Sequence, residues 1–278
     1  MLFVHQNNLL KKINDDYHGK GAVIRDFYNT HYSEVKRLLS GLNFQSGNDE
    51  VFEEASEIIT RYYRQLNEFA RENRILSQSK FESTFLEEIS VYLFKDIPEI
   101  ANGTYGVFNK GVFAGLKIDS NNHITTIKKD VDFCIGRKVN VTIDRQPEIE
   151  LILPLVSVEV KTYLDATMFG EVKSSSKALR SASPNSYTYV LMGHKNIAAE
   201  HIIAARLDSS LNEIFVLRAN ENAPFSADAL YEYWFEVTKA LETIRNPNTL
   251  PQTGKQLNIW YIFILWLQRG NYQWPINH

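Results

Sequence analysis

The sequence predicts an α/β fold in which a mixed β-sheet is flanked by helices. Three observations lead to this prediction. Polar and apolar residues alternate with period two on both sides of a turn at 144–147, a strand–helix–strand pattern runs from Ile149 to Met192, and helical apolar spacing precedes and follows both. Alternation is typical of strands, and steps of three and four residues are typical of helices.

Residues 1–78 are predicted to form an N-terminal helical region. From position 52 the apolar side chains step by three and four residues, as they do on a helix that packs against another helix. These side chains are Phe52, Ala55, Ile59, Tyr62, Leu66 and Phe69. A weaker pattern of the same kind precedes them at Val35, Leu38, Leu39 and Leu42. Recognition, dimerisation and simple support all remain open as roles for this region.

A further helix is predicted from Ser79 through Leu93. The first residues, Ser79-Lys80-Phe81-Glu82, have the spacing of a capping box, in which the first and fourth side chains cap the helix N-terminus. The buried side of this helix is expected to carry Phe81, Phe85, Ile89, Tyr92 and Leu93. Glu88 then falls at the margin of the apolar face.

Two central strands are predicted on either side of the turn at 144–147. Alternation runs through 132–143 before the turn and from Ile149 to about Tyr163 after it. In the second strand Val156, Val158 and Val160 lie on one face, and Ser157, Glu159 and Lys161 lie on the other.

The rest of the chain continues the α/β pattern. A helix that ends before Pro184 is followed by a strand at Tyr187 to Met192, and this strand is expected to run parallel to the second central strand. A strand at 213–218 and two helices, Ser226 to about Ile244 and Ile259 to Leu267, complete the chain. These elements define a core region at 79–220 and a C-terminal helical region at 221–278.

Composition excludes several classes of protein. The net charge of -3 argues against a simple polycation that coats nucleic acid, but Lys110 to Arg145 carries seven basic residues against four acidic ones. The single cysteine, Cys134, cannot form an internal disulfide and is expected to fill space as a small apolar residue. Neither a secretory signal nor an apolar run of membrane-spanning length is found, so a cytoplasmic protein without membrane contact is expected.

The hairpin brings two carboxylates together. Residues paired across an antiparallel hairpin have numbers with a constant sum, and the turn at 144–147 gives a sum of 291. Asp132 and Glu159 satisfy this sum, so without a bulge their Cβ atoms lie about 4.5 to 5.5 Å apart on one face. Two like charges placed opposite each other destabilise a sheet unless a cation or a shared proton reduces their repulsion. An all-oxygen site favours Mg²⁺, with Mn²⁺ as a substitute, because zinc would require His or Cys ligands.

Several cationic and acidic side chains are candidates to complete this site. Lys161 lies two residues from Glu159 on the same face, where it can orient water or stabilise negative charge. Glu88 is a candidate additional metal ligand, directly or through water. The helix before Pro184 offers a basic edge for phosphate groups, formed by Lys173, Lys177 and Arg180. A second Glu-x-Lys triplet, Glu171-Val172-Lys173, lies in a helical stretch with no Asp across a hairpin, so it ranks far below the first.

The order of these elements is similar to the PD-(D/E)XK nuclease core. More specifically, the segments 86–88, 129–136, 154–164 and 213–218 resemble those of the BbvCI-type restriction endonuclease subunits, a group that includes Bpu-ten-I. The resemblance covers roughly Ser79 to Arg218. It implies catalysis by Asp132, Glu159 and Lys161 with Glu88 in support.

This resemblance implies a type II restriction endonuclease that uses Mg²⁺ to hydrolyse double-stranded DNA at a short specific site. Family members cut with two subunits, so either a homodimer or a heterodimer with a related subunit is expected. Two other functions remain open at this point. One is a PD-(D/E)XK nuclease of DNA repair or of structure-specific cleavage, and the other is a non-catalytic DNA-binding protein that retains the fold.

Overall fold

The structure is a computed structural model that describes residues 2–76, 79–120, 123–142, 148–198, 200–203 and 211–245. Residues Met1–Leu241 form one compact unit, and Glu242–His278 form a second, of which only 242–245 are described. In the described part of the chain, no helix combines the length and apolar character that a membrane span requires. The helix predicted at Ile259 to Leu267 lies outside the described residues.

Helices dominate the N-terminal third and recur around the sheet. They are α1 (Val4–Asn14), α2 (Gly21–Phe27), α3 (Ser33–Gly41), α4 (Asp49–Glu72), α5 (Ser83–Phe94), α6 (Pro98–Ala101), α7 (Ala166–Ala182) and α8 (Ala227–Arg245). The apolar side of α4 that the sequence predicts is buried, except that Phe69 is half-buried. Asn48 caps this helix, because its side chain accepts a hydrogen bond from the backbone N–H of Glu50.

The described strands form one mixed sheet. They are β1 (Gly106–Phe108), β2 (Val112–Ile118), β3 (Ile124–Lys129), β4 (Phe133–Val141), β5 (Ile149–Leu164), β6 (Tyr187–Lys195) and β7 (Glu213–Arg218). Five strands follow the order β1-β4-β5-β2-β3, while β6 pairs with β5 and β7 pairs with β6. The β5–β6 and β6–β7 pairs are parallel, whereas β4–β5 is antiparallel, which confirms the mixed sheet predicted from the sequence.

Each face of the sheet is covered by helices. Val156, Val158 and Val160 of β5 join the core that holds the N-terminal helices and α8. On the opposite face, Val172 of α7 packs with Val190 and Met192 of β6. The N-terminal helical region and the sheet therefore share one hydrophobic core within residues 2–241.

The hairpin register contains a bulge that the sequence analysis did not include. Pairs near the turn, from Val141↔Ile149 to Gly136↔Pro154, sum to 290 rather than 291. The register then shifts between Ile135 and Gly136, and the pairs up to Phe133↔Val158 sum to 291. Pro154 cannot donate to the ladder, so it is tolerated where the ladder breaks. A Cβ atom on Gly136 would lie 2.7 Å from the Leu153 carbonyl oxygen, so glycine permits this close approach.

Helix α5 begins later than the sequence predicts. The expected capping box at Ser79 to Glu82 is wrong, since the helix starts at Ser83 and Glu82 makes no capping hydrogen bond. Lys80 adopts a left-handed backbone conformation with φ of 57°, which is incompatible with helix at that position. Residues from Thr84 to Phe94 are all buried, so α5 passes through the core and has no exposed side.

A buried polar cluster joins α1 to α5. The Glu88 carboxylate accepts hydrogen bonds from the backbone N–H groups of His5 (2.8 Å) and Gln6 (3.1 Å). It also accepts them from the hydroxyls of Tyr32 (2.7 Å) and Tyr92 (2.8 Å). Glu88 is 0% exposed, and burial raises its pKa against the opposing effect of these four donors. Glu88 therefore anchors the N-terminus of α1 to the core helix.

The stability of the protein is expected to fall as the pH drops below about 6.5, because of His5. Burial, with a smaller contribution from Lys12, lowers the pKa of His5 to about 3. Its ring hydrogen bonds to Tyr62 (2.8 Å) and Thr84 (3.0 Å) belong to the neutral form. The unfolded state binds a proton through His5 below pH 6.5 and the folded state does not. The contribution of His5 to the free energy of unfolding is therefore complete above about pH 6.5. At about pH 5 the free energy of unfolding is lower by about 2 kcal/mol.

Urea denaturation of wild type and His5→Gln at neutral and acidic pH measures this effect. The glutamine variant is expected to lack the acid-dependent loss, whereas His18→Gln, which changes an exposed histidine, should retain it. Equal pH dependence of wild type and His5→Gln would contradict the assignment.

Candidate active site

Asp132, Glu159 and Lys161 meet where β4 begins and β5 ends. Asp132 immediately precedes β4, in register with Glu159 by continuation of the Phe133↔Val158 pairing. The Lys161 Nζ lies 3.6 Å from Asp132 Oδ2 and 3.6 Å from Glu159 Oε2. The distance between Asp132 Oδ2 and Glu159 Oε2 is therefore no greater than the sum of these two distances. All three side chains are partly buried, with exposed fractions between 15% and 29%.

Two further groups fix the orientation of the carboxylates. The backbone N–H of Val160 donates a 2.7 Å hydrogen bond to Asp132 Oδ2. The hydroxyl of Ser175, on α7, donates a 2.8 Å hydrogen bond to Glu159 Oε1. The sequence analysis did not identify Ser175. The only available signal was its place on the buried side of α7 between Val172 and Leu179, which does not distinguish a functional serine from a structural one.

The site concentrates negative charge in a partly buried environment. Burial, followed by repulsion from Asp132, raises the pKa of Glu159, although Lys161 acts in the opposite direction. Burial alone would lower the pKa of Lys161, but attraction by Asp132 and Glu159 outweighs it and the net pKa is raised. Lys161 therefore stays protonated, and the carboxylates gain from any additional cation.

Glu87, the residue before Glu88, is close enough to this site to interact electrostatically with it. Burial, followed by repulsion from Asp132, raises the pKa of the Glu87 carboxyl to about 8, and Glu159 contributes further repulsion. The lysines Lys80 and Lys161 act in the opposite direction. The structure does not bring Glu88 to the site, because α5 is buried on all sides and Glu88 points to the α1 anchor. One position along a helix turns a side chain by about 100°, which separates the two glutamates.

The three cations predicted to contact phosphates lie elsewhere on α7. Lys177 is exposed, and Lys173 and Arg180 are half-buried. Since an α-helix turns about 100° per residue, these side chains point roughly 140–160° away from Ser175. The structure therefore places them on the outer side of α7 and does not bring them to Lys161. Their contact with DNA phosphates stays a prediction.

The donor atoms fit a hard divalent cation. Asp132 and Glu159 each have one oxygen held by a hydrogen bond, and both carboxylates are oriented toward the same lysine. Within the described residues, no three His, Cys, Asp or Glu side chains form a complete metal-binding cluster. This incomplete, all-oxygen ligand set suits Mg²⁺, which keeps waters and takes oxygen atoms from a phosphate group. The rival Glu171-Val172-Lys173 triplet lies inside α7, as expected from the sequence.

Cys134 lies beside this site but has no part in it. Its side chain is fully buried with Val112, Val131 and Leu179. Burial raises the pKa of the Cys134 thiol to about 12, so the reactive thiolate is suppressed. This agrees with the expectation that Cys134 fills space.

Comparison with known proteins identifies the family. The sequence model of the Bpu10I restriction endonuclease family matches residues 78–239, which is more than half of the chain. A solved structure, the native BbvCI A2B2 tetramer at low resolution, contains a chain that matches with a TM-score of 0.66 and 15% sequence identity. The match covers 87% of this chain and 95% of that chain. Curated protein sequences give no match. The fold and the resemblance predicted from the sequence are thereby confirmed, and the chain belongs to the Bpu10I restriction endonuclease family.

Proposed function

We propose that this protein is a type II restriction endonuclease that uses Mg²⁺ to hydrolyse phosphodiester bonds of double-stranded DNA at a short specific site. One observation carries the proposal. In a chain of this family, Asp132 and Glu159 from adjoining strands both lie 3.6 Å from the Nζ atom of Lys161. Two carboxylates and a lysine around a shared point suit the attack of water on a phosphate.

Asp132 and Glu159 are the proposed metal ligands, and Glu87 replaces Glu88 as the supporting carboxylate. Glu87 is near enough to feel the charge of both ligands, whereas the Glu88 oxygens already accept four hydrogen bonds. Bound Mg²⁺ supplies positive charge that acidifies a bound water and neutralises charge on the phosphate. Burial and mutual repulsion raise the pKa of Glu87 and of Glu159, and a bound cation would relieve both effects.

Lys161 and the two orienting groups have separate proposed roles. Lys161 remains protonated, so its ammonium can donate a hydrogen bond to the attacking water or to a phosphate oxygen, and it stabilises negative charge that develops there. The Val160 N–H and the Ser175 hydroxyl hold Asp132 and Glu159 in fixed orientations. Fixed ligands lower the reorganisation that the reaction requires. Ser175 is therefore a positioning residue.

A double-strand break requires more than one such site. Each chain supplies one Asp132–Glu159 pair, and the two DNA strands are antiparallel, so two subunits related by a twofold axis would place one site on each strand. The structural neighbour is described as an A2B2 tetramer, which contains two kinds of subunit. We therefore propose that this chain acts as a homodimer or together with a related subunit.

Supercoiled plasmid DNA provides the direct test of this function. In Mg²⁺ the purified chain is expected to convert the plasmid to nicked or linear form, and a chelator should abolish the conversion. Mn²⁺ should replace Mg²⁺, and Ca²⁺ should support specific DNA binding without cleavage. Linear product from the chain alone indicates an identical partner, and nicked product indicates a different one. Cleavage that persists after thorough chelation, or the absence of any metal-dependent cleavage, would contradict the proposed function.

A further inference from the structure

A pocket of about 350 Å³ lies between α4 and the loop that follows β7. Its lining includes three arginines, two aromatic rings and an amide, namely Arg64, Arg71, Arg218, Tyr63, Phe225 and Asn67. A second pocket of about 570 Å³ continues along α4 and shares Thr60 and Arg64 with the first. Together they form a groove along one helix, and the proposed function does not use any residue of this groove.

Arg218 places an uncompensated positive charge in this pocket. The residue is 5% exposed, yet no carboxylate in the described part of the chain lies within ion-pair distance of it. Its Nη1 donates a 2.8 Å hydrogen bond to the neutral carbonyl oxygen of Glu221, and its Nε has no hydrogen-bond partner among the described residues. Because arginine remains charged in proteins, its burial without a counter-ion is costly.

The surroundings hold the guanidinium in place without neutralising it. Its Cζ atom lies 4.5 Å from the ring centroid of Tyr63 and 5.1 Å from that of Phe225. A Cβ atom on Gly193 would lie 3.3 Å from Nη2 of Arg218. The Thr162 carbonyl oxygen would be closer still, at 2.4 Å, so the glycine is required mainly by the β5 backbone and the guanidinium lies beside it. Two aromatic rings stabilise a cation by cation–π attraction, but they do not cancel its charge.

The ligand that suits this pocket is an anion. Arg64 is exposed beside Arg218, and Arg71 adds a third positive charge, although it also lies 3.9 Å from Glu68. Glu68 and Glu221 line the pocket too, so the arginines exceed the carboxylates by one charge. Asn67 contributes a buried Oδ1 atom with no partner among the described residues. Rotation of this amide would direct its NH₂ group to an acceptor. A phosphate group has several acceptor oxygens and therefore suits a pocket with donors from more than one arginine.

The backbone of Arg218 lies at the same end of the sheet as the proposed cleavage site, although the pocket is on the α4 face and Glu159 contacts α7 on the opposite face. Tyr163 of β5 pairs with His194 of β6, which pairs with Arg218 of β7, so the three lie in one row across the carboxyl ends of parallel strands. Lys161 is two residues before Tyr163 in β5. Two strand spacings separate β5 from β7 by about 10 Å.

We propose that the pocket around Arg218 binds a backbone phosphate of the DNA substrate, away from the bond that is cut. This inference rests on the proposed function, because DNA is taken as the substrate. The pocket binds by charge and by hydrogen bonds to phosphate oxygens, so it fixes the position of the DNA without reading its sequence.

The test measures binding of a short fluorescent duplex of mixed sequence by anisotropy over a series of salt concentrations, with a chelator present. Arg218→Met keeps a similar length and removes the charge, and Arg64→Ala changes an exposed neighbour whose loss should not affect folding. Each variant is expected to bind about tenfold more weakly. The slope of log K against log[salt] should become less negative by about 0.9 for each lost phosphate contact. Arg37→Ala, an exposed arginine on α3 outside the groove, should bind like wild type.

A thermal melt of each variant separates binding from structure. Removal of an uncompensated buried charge is expected to leave the melting temperature of Arg218→Met unchanged or higher, while its salt slope falls. A lower melting temperature with an unchanged salt slope in both variants would assign Arg218 a purely structural role. Stabilisation of wild type by inorganic phosphate, with unchanged DNA binding in both variants, would assign the pocket to a free anion; both results overturn the proposal. The measurement needs no cleavage, so its outcome is independent of the plasmid assay.

Discussion

Replacement of Glu159 by Gln or of Asp132 by Asn is expected to lower the rate of DNA cleavage by at least about 10³-fold, since each change removes a proposed metal ligand that contributes on the order of 4 kcal/mol to the transition state. Both substitutions keep the shape of the side chain. The amide oxygen of each can still accept the hydrogen bond from Ser175 or from the Val160 N–H. The loss of rate therefore reports on the negative charge and not on a disturbed fold.

A matched control is available in the rival triplet. Glu171→Gln makes the same chemical change at an exposed carboxylate of α7 and should leave the cleavage rate unchanged. Single-turnover cleavage measures the rate, and calorimetric titration with Mg²⁺ measures metal binding in the same variants. Metal binding should weaken in Glu159→Gln and Asp132→Asn, while binding to duplex DNA without metal is largely retained. Normal cleavage by either variant would remove that residue from the site.

The central hairpin shows why the site could be predicted from the sequence. Alternation of polar and apolar residues is a local property of each strand, so the faces of β4 and β5 follow directly from residue order. The sum rule placed Asp132 opposite Glu159 as the structure does, but it assumed no bulge. The pairs beside the turn sum to 290, and the bulge near Gly136 restores 291 before the site is reached. The correct pairing at the site therefore depends on an irregularity that a periodic pattern does not encode.

The supporting residues depend on tertiary packing and were not accessible in the same way. An amphipathic reading placed Glu88 at the edge of a half-exposed helix, but α5 is buried on every side. Its direction is then set by contacts with α1 and the sheet, which leave Glu87 within electrostatic range of the site. Ser175 is brought to Glu159 by the packing of α7, over a separation of sixteen residues. Hydrophobic periodicity predicts neither the position of Glu87 nor the contact between Ser175 and Glu159.

The first strands of the sheet were missed for a related reason. The β2 and β3 strands contain Lys117, Lys128 and Lys129 and are only partly buried, so their apolar alternation is weak. Pairing with each other and with β5 stabilises them, and this information is non-local. Likewise, the apolar residues of α4 predicted a helix that packs against another element. They did not predict that α4 packs into the same hydrophobic core as the β-sheet.

Glu88→Ala and Glu87→Ala are expected to have opposite effects, although they change adjacent residues of one helix. Loss of the Glu88 carboxylate leaves four donors without an acceptor, three of them in buried hydrogen bonds, and each unsatisfied buried group costs about 1–3 kcal/mol. The free energy of unfolding should therefore fall by at least about 4 kcal/mol, a large part of the total stability of a typical domain. In Glu87→Ala the stability should be unchanged or higher, because no described residue donates a hydrogen bond to Glu87 and burial makes its carboxyl unfavourable in the charged form.

Urea denaturation of the two variants measures the first effect, and Mg²⁺-dependent cleavage under conditions where both are folded measures the second. Glu87→Ala should cleave more slowly than wild type and require a higher Mg²⁺ concentration, since it lacks the supporting carboxylate. Any folded Glu88→Ala should keep the Mg²⁺ requirement of wild type, because Glu88 does not reach the site. Glu88→Gln is the conservative comparison: it retains one acceptor oxygen and should recover part of the lost stability. A stable Glu88→Ala protein with an impaired Mg²⁺ response would restore Glu88 as the supporting ligand and exclude Glu87 from that role.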